Sequence, residues 1–424
     1  MILLYRCLTT FFYPLFVVFI FIRKFLGKED SLRYKEKIFS RYFKVDKKIN
    51  NKLIWFHAAS IGELKSILPI IKEINLKKND IEFLITTVTL SSSYLANQEL
   101  KKIKNSYHRF LPIDVNFLIK NFIKHWRPNA IFLVDSEIWP NLILNSKDLE
   151  VPIALINARL TSNSFKKWMM FPKTARKIFS VFDLFICSNS ETKTYLEKLN
   201  LKNIHFNGNL KLISNIENKE INNINENRLL NKKVWLAAST HKDEDIFCIK
   251  THLKLKEKFS KIVTIIAPRH IDRAKDIKSI SNKFGLNSQI LDENEVISEN
   301  IEIIIINHFG ALQNYYKYAK SAFIGKSLSI KLKKVGGQNP IEAAKSNCKI
   351  YHGPYVYNFE EIYNILEKNN ISKMVTNYKE LSFYLSKDLE NPSSKENSYI
   401  SEFVNNLGKK TLIDTIKLVD DFIR

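Results

Sequence analysis

The stretch LIWFHAASIGE, residues 53–63, carries the pattern that decides the fold. It opens with a continuous apolar run rich in β-forming residues and closes on Ser60-x-x-Glu63, the spacing of a helix capping box. A strand without polar alternation is typical of a parallel sheet that helices cover on both faces. The stretch therefore predicts a strand followed directly by a helix, the repeating unit of an α/β domain.

Similar apolar runs recur along the chain, with longer amphipathic segments between them. The other predicted strands of the first half are IEFLITTV (81–88), AIFLVDS (130–136), VPIALINA (151–158) and LFICSNS (184–190). Those of the second half are VWLAAS (234–239), IVTIIAP (262–268), IEIIIIN (301–307), SAFIGKS (321–327) and KIYHGP (349–354). A chain of 424 residues is too long for one core. We therefore expect two doubly wound domains that face a central cleft, with ligands at the carboxyl ends of the strands.

The N-terminus carries an uncharged apolar run, residues 8–22. Arg6 precedes this run, and a basic flank follows it, with Arg23, Lys24, Lys28, Arg33, Lys35 and Lys37. A full membrane span needs about 20 apolar residues, so the run is short. Its basic flank and the lack of a small-residue cleavage site favour a membrane anchor, spanning or lodged in one leaflet, with the rest of the chain in the cytoplasm. A signal peptide and a buried core helix are the alternatives.

The charge balance favours anionic partners. There are 66 Lys and Arg against 43 Asp and Glu, a formal net charge of +23, which attracts acidic membranes, phosphorylated substrates or nucleic acid. A general enrichment in Lys, Ile and Asn explains part of this excess. No pattern of aromatic residues between the basic ones indicates nucleic-acid binding, so we expect none. The four cysteines are isolated, which argues against a disulfide framework or a zinc site.

Two motifs follow predicted strands of the first half, and a third lies just before a linker predicted at 214–231. Glu63 either caps a helix or acts as a general base at the cleft. DSEIWPN (135–141) places Asp135 and Glu137 directly after a strand, either as a solvated strand end or as part of a site. Lys211, in GNLK, either lies on the surface or reaches a phosphate.

The second half offers basic residues and a glycine-rich turn. Arg269 and His270 end a strand and suit a charged ligand such as phosphate. In GGQNPIEAA (336–344) the glycines allow a close backbone approach, while Asn339 is predicted as N-cap, Pro340 as N1 and Glu342 as N3 of a helix whose N-terminus is an anion site. The chain has neither GxGxxG nor GxxxxGK[ST], which disfavours nicotinamide and P-loop sites.

One acidic cluster, residues 243–245, has the appearance of a D-x-D metal site. It follows Ser-Thr-His at a predicted helix start, where the helix dipole favours acidic residues without a metal. We therefore predict no metal site and no cofactor.

Taken in order, the motifs resemble those of transferases of 3-deoxy-D-manno-octulosonic acid (Kdo) specific for lipid A, a family of GT-B glycosyltransferases. The matching stretches are WFHAASIGE (55–63), ITTVTLSSSYL (85–95), DSEIWPNLI (135–143), NARLTSNSF (157–165), FNGNLK (206–211), AASTHKDE (237–244), IAPRH (266–270), GGQNPIEAA (336–344) and HGPYVYNFEE (352–361). The resemblance implies a GT-B fold, an N-terminal anchor and metal-independent, inverting transfer of Kdo from CMP-Kdo to a lipid A precursor. It also implies a location at the cell inner membrane, with the catalytic domains on the cytoplasmic side.

The resemblance also implies roles for individual residues. Glu63 matches the general base, and Glu137 and Lys211 match groups that stabilise the transition state. The positions that correspond to donor-nucleotide contacts are Ser239, Pro268, Arg269, His270, Phe309, Gly310, Ala311, Asn339, Pro340, Ile341 and Glu342.

The chain departs from the family pattern at three places. These are Gln338, where the family has His; Leu90, where it has Gly; and residues 309–311, where it has Met-Gly-Glu. The departures concern the choice of donor or acceptor. The alternatives are therefore another GT-B enzyme, such as a UDP-sugar-dependent lipid A disaccharide synthase, or a basic membrane-tethered binding module.

The resulting domain prediction has five parts. They are a membrane anchor at 1–27, a Rossmann-like acceptor domain at 28–213, a linker at 214–231, a Rossmann-like donor domain at 232–405 and a C-terminal helix at 406–424 that returns to the first domain.

Overall fold

The computed structural model describes residues 1–43, 51–213, 224–308, 310–390 and 399–424. The chain divides into two compact units, Met1–Ser214 with Leu407–Arg424, and Asn215–Asn406. Residues 214–223 of the predicted linker and Phe309 of the predicted donor site lie outside the described residues.

The first unit contains a seven-stranded parallel sheet with the order β3-β2-β1-β4-β5-β6-β7. Its strands are β1 (Lys52–His57), β2 (Ile81–Thr87), β3 (Ser106–Phe110), β4 (Ala130–Val134), β5 (Ile153–Ala158), β6 (Leu184–Cys187) and β7 (Ile204–Phe206). Its helices are α1 (Ile2–Phe11), α2 (Tyr13–Phe25), α3 (Ile61–Lys77), α4 (Leu90–Leu100), α5 (Asn116–Trp126), α6 (Pro140–Asp148), α7 (Ser162–Met169), α8 (Pro172–Phe179) and α9 (Ser190–Lys198).

The two faces of β1 pack into different parts of the core. Trp55 belongs to a cluster that includes Phe122 of α5, whereas Phe56 belongs to a second cluster that includes Ile67 of α3. All four side chains are fully buried. Burial of successive residues on opposite faces explains why the strand is apolar throughout, as the sequence predicts.

The second unit contains another seven-stranded parallel sheet, with the order β10-β11-β9-β8-β12-β13-β14. Its strands are β8 (Lys233–Thr240), β9 (Ile262–Pro268), β10 (Ser288–Leu291), β11 (Ile303–Ile306), β12 (Ser321–Ile324), β13 (Lys349–His352) and β14 (Ser372–Met374). The helices are α10 (Glu226–Leu229), α11 (Glu244–Lys256), α12 (Ala274–Lys283), α13 (Leu312–Tyr316), α14 (Ile341–Lys345), α15 (Glu360–Lys368) and α16 (Tyr378–Glu390). The predicted class of two doubly wound α/β domains is confirmed.

The last helix, α17 (Tyr399–Phe422), begins in the second unit and ends in the first. The ring of Phe422 packs edge-on against Phe132 of β4, with 5.3 Å between ring centroids. Asp420 pairs with Lys78 at 3.1 Å. The C-terminal turns of α17 therefore belong to the core of the first unit.

Helices α1 and α2 are attached to the first unit along one side. The Tyr5 hydroxyl donates to Asp114 Oδ2 at 2.9 Å, Arg6 pairs with Asp148 at 3.3 Å, and the Tyr13 hydroxyl donates to the carbonyl of residue 38 at 2.5 Å. The other side leaves large apolar side chains in contact with solvent, among them Leu3, Phe11, Leu15, Phe19 and Phe25. The pair thus has one docked face and one unpartnered apolar face.

The helices α1 and α2 are bent by 55° relative to each other. In the part of the chain that the structure describes, no single helix has the length and apolar character of a membrane span. The bent pair taken together does meet these two criteria.

The basic flank after the apolar run is smaller than the sequence indicates. Lys37 is buried, pairs with Glu29 and donates to the carbonyl of Val88 at 2.8 Å. Arg33 pairs with Glu36 at 2.8 Å. These two cations therefore neutralise carboxylates within the fold and are not part of a free basic face.

Candidate active site

The carboxylates of the first unit lie at the point where its sheet reverses its order. Strand β1 pairs with β2 on one side and with β4 on the other, so the winding direction changes between β1 and β4. Ligands of doubly wound sheets bind at the carboxyl ends of the strands beside such a point. The turn after β1 leads to Glu63, and the turn after β4 carries Asp135 and Glu137.

Glu63 is held by short bonds in the first turn of α3. Ser60 is the N-cap and accepts a bond from the Glu63 amide at 3.4 Å, while its hydroxyl donates to Glu63 Oε1 at 2.7 Å. The amide of Ala59 donates to Glu63 Oε2 at 2.8 Å. The capping arrangement is therefore present, except that the Glu63 carboxylate accepts from the amide before the N-cap.

Burial raises the pKa of Glu63. The bonds from Ser60 and Ala59 oppose this effect, whereas the negative charges of Asp135 and Glu137 add to it. The net direction is upward. A carboxylate whose pKa is raised toward neutral pH is better suited to accept a proton than an ordinary surface glutamate.

Glu137 is kept ionised by a different set of contacts. Its Oε2 atom accepts from the indole N–H of Trp139 at 2.6 Å and lies 3.3 Å from His57 Nε2. Burial raises the pKa of Glu137, but the bond and charge of His57 and the bond from Trp139 outweigh it and lower the pKa overall. Two neighbouring carboxylates with opposite shifts can take different roles, one as a base and one as a fixed negative charge.

His57 connects Glu137 to the middle of the sheet. It is the last residue of β1 and is fully buried. Its Nδ1 atom lies 2.9 Å from Thr86 Oγ1 of β2, and the same oxygen accepts from the Trp55 indole at 2.8 Å. This network sets the orientation of the imidazole and, through it, of the Glu137 carboxylate.

Lys211 lies at the same carboxyl end of the sheet, where it pairs with Asp135. The Lys211 Nζ lies 3.4 Å from Asp135 Oδ2, and the Asn157 amide donates to the other oxygen of this carboxylate. Asn157 Oδ1 in turn accepts from the amide of Leu210 at 2.9 Å, which holds the turn that carries Lys211. The structure thus brings Glu63, Glu137 and Lys211 together at the carboxyl ends of the strands of one sheet.

The basic residues of the second unit lie at the corresponding reversal, between β8 and β12. Pro268 ends β9, and the amide of Arg269 donates to the carbonyl of Thr240 in β8 at 3.0 Å. The side chains of Arg269 and His270 are exposed. Ser239, near the end of β8, has a φ of +55°. These predicted donor residues lie side by side on neighbouring strands.

The carboxylate of Glu244 binds backbone amides that follow both strands beside this reversal. Its Oε2 atom accepts from the amides of His241 at 2.8 Å and Lys326 at 2.7 Å, and its Oε1 atom from those of Ser327 at 2.7 Å and Leu328 at 3.1 Å. One carboxylate therefore satisfies four backbone donors from two strand ends.

Two of the three residues of the acidic cluster 243–245, Glu244 and Asp245, are buried and engaged within the fold. Besides the four bonds of Glu244, Asp245 accepts from Thr240 Oγ1 at 2.8 Å and pairs with Arg273. Within the described ranges, no group of three or more His, Cys, Asp or Glu side chains has an arrangement that could hold a metal ion.

The glycine-rich turn differs from its prediction in two respects. Helix α14 begins at Ile341, with Pro340 rather than Asn339 in the N-cap position, although Asn339 Oδ1 still accepts from the Ile341 amide at 3.0 Å. The helix has only five residues, so its dipole is small and supplies little to an anion. The glycines accommodate the chain's own backbone, since a Cβ at Gly336 would lie 2.2 Å from the Tyr355 carbonyl oxygen.

The remaining predicted donor residues lie directly before α13 or at the start of α14. Gly310 has a φ of +81°, Ala311 is buried directly before α13, and Glu342 lies in the first turn of α14. In the described chain, these residues make no hydrogen bond to Ser239 or to residues 268–270.

Comparison with known proteins decides the family. The family profile described as 3-deoxy-D-manno-octulosonic-acid transferase (kdotransferase) matches residues 33–214. A protein of Arabidopsis thaliana named probable 3-deoxy-D-manno-octulosonic acid transferase, mitochondrial, is 30% identical over 378 residues, which cover 87% of this chain and 83% of that protein. The 3-deoxy-D-manno-octulosonic acid transferase of Rickettsia bellii is 31% identical over 355 residues, which cover 83% and 82%. The chain belongs to the Kdo transferase family.

Membership of this family means that the chain is an enzyme, a glycosyltransferase that acts in lipopolysaccharide biosynthesis. It also removes the non-enzymatic binding module from the alternatives. The fold agrees: the crystal structure of UDP-GlcNAc 2-epimerase from Neisseria meningitidis bound to UDP-GlcNAc is similar, with a TM-score of 0.57, 14% identity and coverage of 86% of this chain and all of that one. At this identity the likeness concerns the GT-B-like fold alone.

The contacts of three residues become evident only from the structure. His57 and Trp139 bond to Glu137, and Asp135 pairs with Lys211. All three stand inside the quoted motifs, so a signal was present. A sequence pattern shows which residues follow a strand but not which of them contact each other across two strands.

Proposed function

We propose that this Kdo transferase transfers Kdo from CMP-Kdo to a lipid A precursor, with inversion at the anomeric carbon and with Glu63 as the general base. The observation that carries the proposal is the placement of two carboxylates at the carboxyl ends of neighbouring strands, with Glu63 bonded to Ser60 and Ala59 and Glu137 bonded to Trp139 beside His57. These surroundings raise the pKa of Glu63 and lower that of Glu137. Such a pair supplies a proton acceptor beside a permanent negative charge.

The reaction is a single displacement. A hydroxyl of the glucosamine lipid attacks the anomeric carbon of Kdo, and Glu63 accepts the hydroxyl proton. The bond between the anomeric carbon and the phosphate oxygen breaks, and CMP leaves with that electron pair. General base catalysis of this kind contributes about 10²–10⁴ in rate.

The charges around Glu63 suit this displacement. Glycosyl transfer develops positive charge at the anomeric carbon, and the ionised Glu137 can stabilise it. Lys211, held by Asp135, supplies a fixed positive charge for developing negative charge. In the second unit, Arg269 is proposed to contact the donor phosphate.

The experiment that tests this function uses the purified full chain in detergent with CMP-Kdo and a lipid A precursor. The expected product is CMP, in step with glycosylated lipid. Activity with a UDP-sugar and release of UDP, without turnover of CMP-Kdo, would instead support the lipid A disaccharide synthase alternative.

We also propose that no metal takes part in the chemistry. Activity should survive EDTA, because cationic side chains that are oriented before the reaction can stabilise phosphate charge without a cation. Asp243→Asn should be equally harmless, since the side chain is exposed and Asn tolerates the φ of +75° found there. The measurement is turnover before and after chelation. Loss of activity that magnesium or manganese restores would contradict the proposal.

Helices α1 and α2 are proposed to hold the enzyme at the cytoplasmic face of the inner membrane. Their unpartnered apolar face can enter the acyl region of one leaflet while the opposite side remains attached to the first unit. The net positive charge of the chain would favour an anionic lipid surface.

Replacement of Phe11, Leu15 and Phe19 by Ser should weaken binding to anionic vesicles by about tenfold or more. Each of these side chains is at least half exposed, so the fold should be retained, whereas returning even one of them from lipid to water costs about 1.5 kcal/mol. Phe383→Ser, at an equally exposed residue of α16, is the control. Co-sedimentation that stays at the wild-type level in the triple variant would exclude this face as the membrane contact.

A further inference from the structure

Two basic residues at the sheet reversal of the second unit have no role in the mechanism above. His241 follows β8, and Lys326 follows Gly325 after β12. These strands are neighbours in the sheet, and β9, which leads to Arg269, lies on the other side of β8. The three residues therefore emerge from three adjacent strand ends.

The backbone of each residue is fixed by a hydrogen bond. The amides of His241 and Lys326 both donate to Glu244 Oε2, at 2.8 Å and 2.7 Å. The amide of Arg269 donates to the carbonyl of Thr240, at 3.0 Å. Since one oxygen atom binds two of the amides, the side chains of His241 and Lys326 begin from nearly the same point.

Lys326 adopts a backbone conformation that lysine disfavours. Its φ is +59°, in the left-handed region where a Cβ atom is strained and glycine is not. Ser239, on the neighbouring strand, has a φ of +55°. Strained residues of this kind are concentrated at ligand and active sites, where the surrounding structure holds them in place. The strained backbone of Lys326 and Ser239 therefore adds to the position at the strand ends in marking this place as a candidate ligand site.

The local charges are not balanced by protein groups. Within the described chain, neither Lys326 nor Arg269 has a carboxylate partner. Burial and then the charge of Arg269 lower the pKa of Lys326. Burial, followed by the charges of Lys326 and other nearby cations, lowers the pKa of His241 to about 4, so its ring is neutral at pH 7. The His241 Nε2 atom is buried and has no hydrogen-bond partner among the residues that the structure describes.

We propose that Lys326 and His241 bind the phosphate group of the donor nucleotide together with Arg269. An anion at this place would relieve the repulsion between the two cations and would give the buried Nε2 atom a partner. Lys326 supplies a point charge, Arg269 a planar set of donors, and the neutral imidazole a single N–H. The identification of the ligand as a nucleotide rests on the proposed function.

The test is calorimetric titration of the full chain with CMP and with cytidine. Lys326→Met removes the charge but keeps the length of the side chain and the backbone amide. It should weaken CMP binding about tenfold and leave cytidine binding unchanged, since only CMP carries the phosphate. Lys283→Met removes an exposed lysine at the far end of α12 and should change neither affinity.

A second variant separates binding from structure. Lys326→Gly removes the same charge and also relieves the left-handed strain. It should lose CMP affinity to the same extent while its melting temperature stays equal to or above that of the wild type. His241→Ala should lower CMP affinity in the same direction.

The outcomes distinguish this inference from the proposed function. Unchanged CMP affinity in both Lys326 variants, or equal losses for CMP and cytidine, would overturn the inference. If Arg269→Ala alone weakens CMP, the proposed donor stands and the inference fails. A wild type that prefers UMP to CMP would contradict the donor, and the same variants titrated with UMP would then test the phosphate site. A wild type that binds neither nucleotide contradicts both.

Discussion

Glu63→Gln should lower turnover at least a hundredfold and leave the fold intact. A glutamine carboxamide can still accept the Ala59 amide bond and can donate to the Ser60 hydroxyl, so the start of α3 is retained. It cannot accept a proton from the attacking hydroxyl, and that step is worth about 10²–10⁴ in rate. Turnover with CMP-Kdo and a lipid A precursor measures the loss.

The matched control is Glu73→Gln, on the same helix. Glu73 is partly exposed, and among the described residues its ion-pair partner is Lys77 one turn later, at 3.2 Å. Its substitution removes the same charge and should not change turnover. Equal activity of the Glu63 and Glu73 variants would reduce Glu63 to a helix cap.

The pH dependence gives a second measurement on Glu63. A base must be ionised, so kcat/KM should rise with pH through the Glu63 pKa. Burial and the neighbouring carboxylates place that pKa above its ordinary value of 4.5. The acidic limb should therefore lie above 4.5 in the wild type and disappear in the residual activity of Glu63→Gln.

In Glu63→Gln, the free energy of unfolding should not fall with the turnover. A carboxyl group whose pKa is raised on folding contributes stability below its unfolded pKa and loses it as the pH rises through the folded pKa. At pH 7 the ionised Glu63 therefore disfavours the folded state. The free energy of unfolding of Glu63→Gln at pH 7 should be equal to or above that of the wild type, and denaturant unfolding measures it.

Arg269→Ala should weaken CMP binding by about ten- to a hundredfold. A charge-assisted bond to phosphate contributes roughly 1.5–3 kcal/mol. Acceptor binding should change less, because the carboxylates proposed to act on the acceptor lie in the first unit. Titration calorimetry with CMP measures the effect.

The control for this substitution is Arg228→Ala in the same unit. Arg228 pairs with Glu299 at 2.9 Å and, with Val263, lines a cavity of about 200 Å³ near the amino end of β9. It should leave CMP binding unchanged. A wild-type dissociation constant for Arg269→Ala would place the nucleotide elsewhere.

The sequence predicts the inner strands of both sheets but not the edge strands. Ten apolar runs were identified as strands, and all ten form strands. The four others, β3, β7, β10 and β14, are the two edges of each sheet. Their sequences are SYHRF, IHF, SQIL and SKM. An edge strand has one neighbour and partial exposure, so it needs no continuous apolar run and gives no such signal.

The residues of the candidate site likewise fall into those that the sequence predicts and those that it does not. Glu63, Glu137 and Arg269 follow inner strands, so their positions along the chain make them candidates, and the family resemblance implies their roles. The roles of His57, Glu244 and Lys326 depend on contacts between strands that are distant in sequence. Lys326 stands 82 positions from the carboxylate that holds its amide, and nothing in the local pattern indicates that pairing.

Because Glu244 binds main-chain amides, it limits the backbone of this turn more than its side chains. The carboxylate binds the N–H groups of residues 326–328, and every amino acid except proline supplies one. The side chain of Lys326 can therefore be exchanged without rebuilding the loop, whereas the buried Ser327 hydroxyl is needed there, since it donates to the Ile324 carbonyl and accepts from the Gly353 amide, both at 2.8 Å. Gly325 has no such freedom, because a Cβ atom there would lie 2.6 Å from the Ser239 carbonyl oxygen. If Lys326 binds the donor phosphate as proposed, a single substitution at 326 can change donor binding while Gly325 and Glu244 hold the backbone of the turn in place.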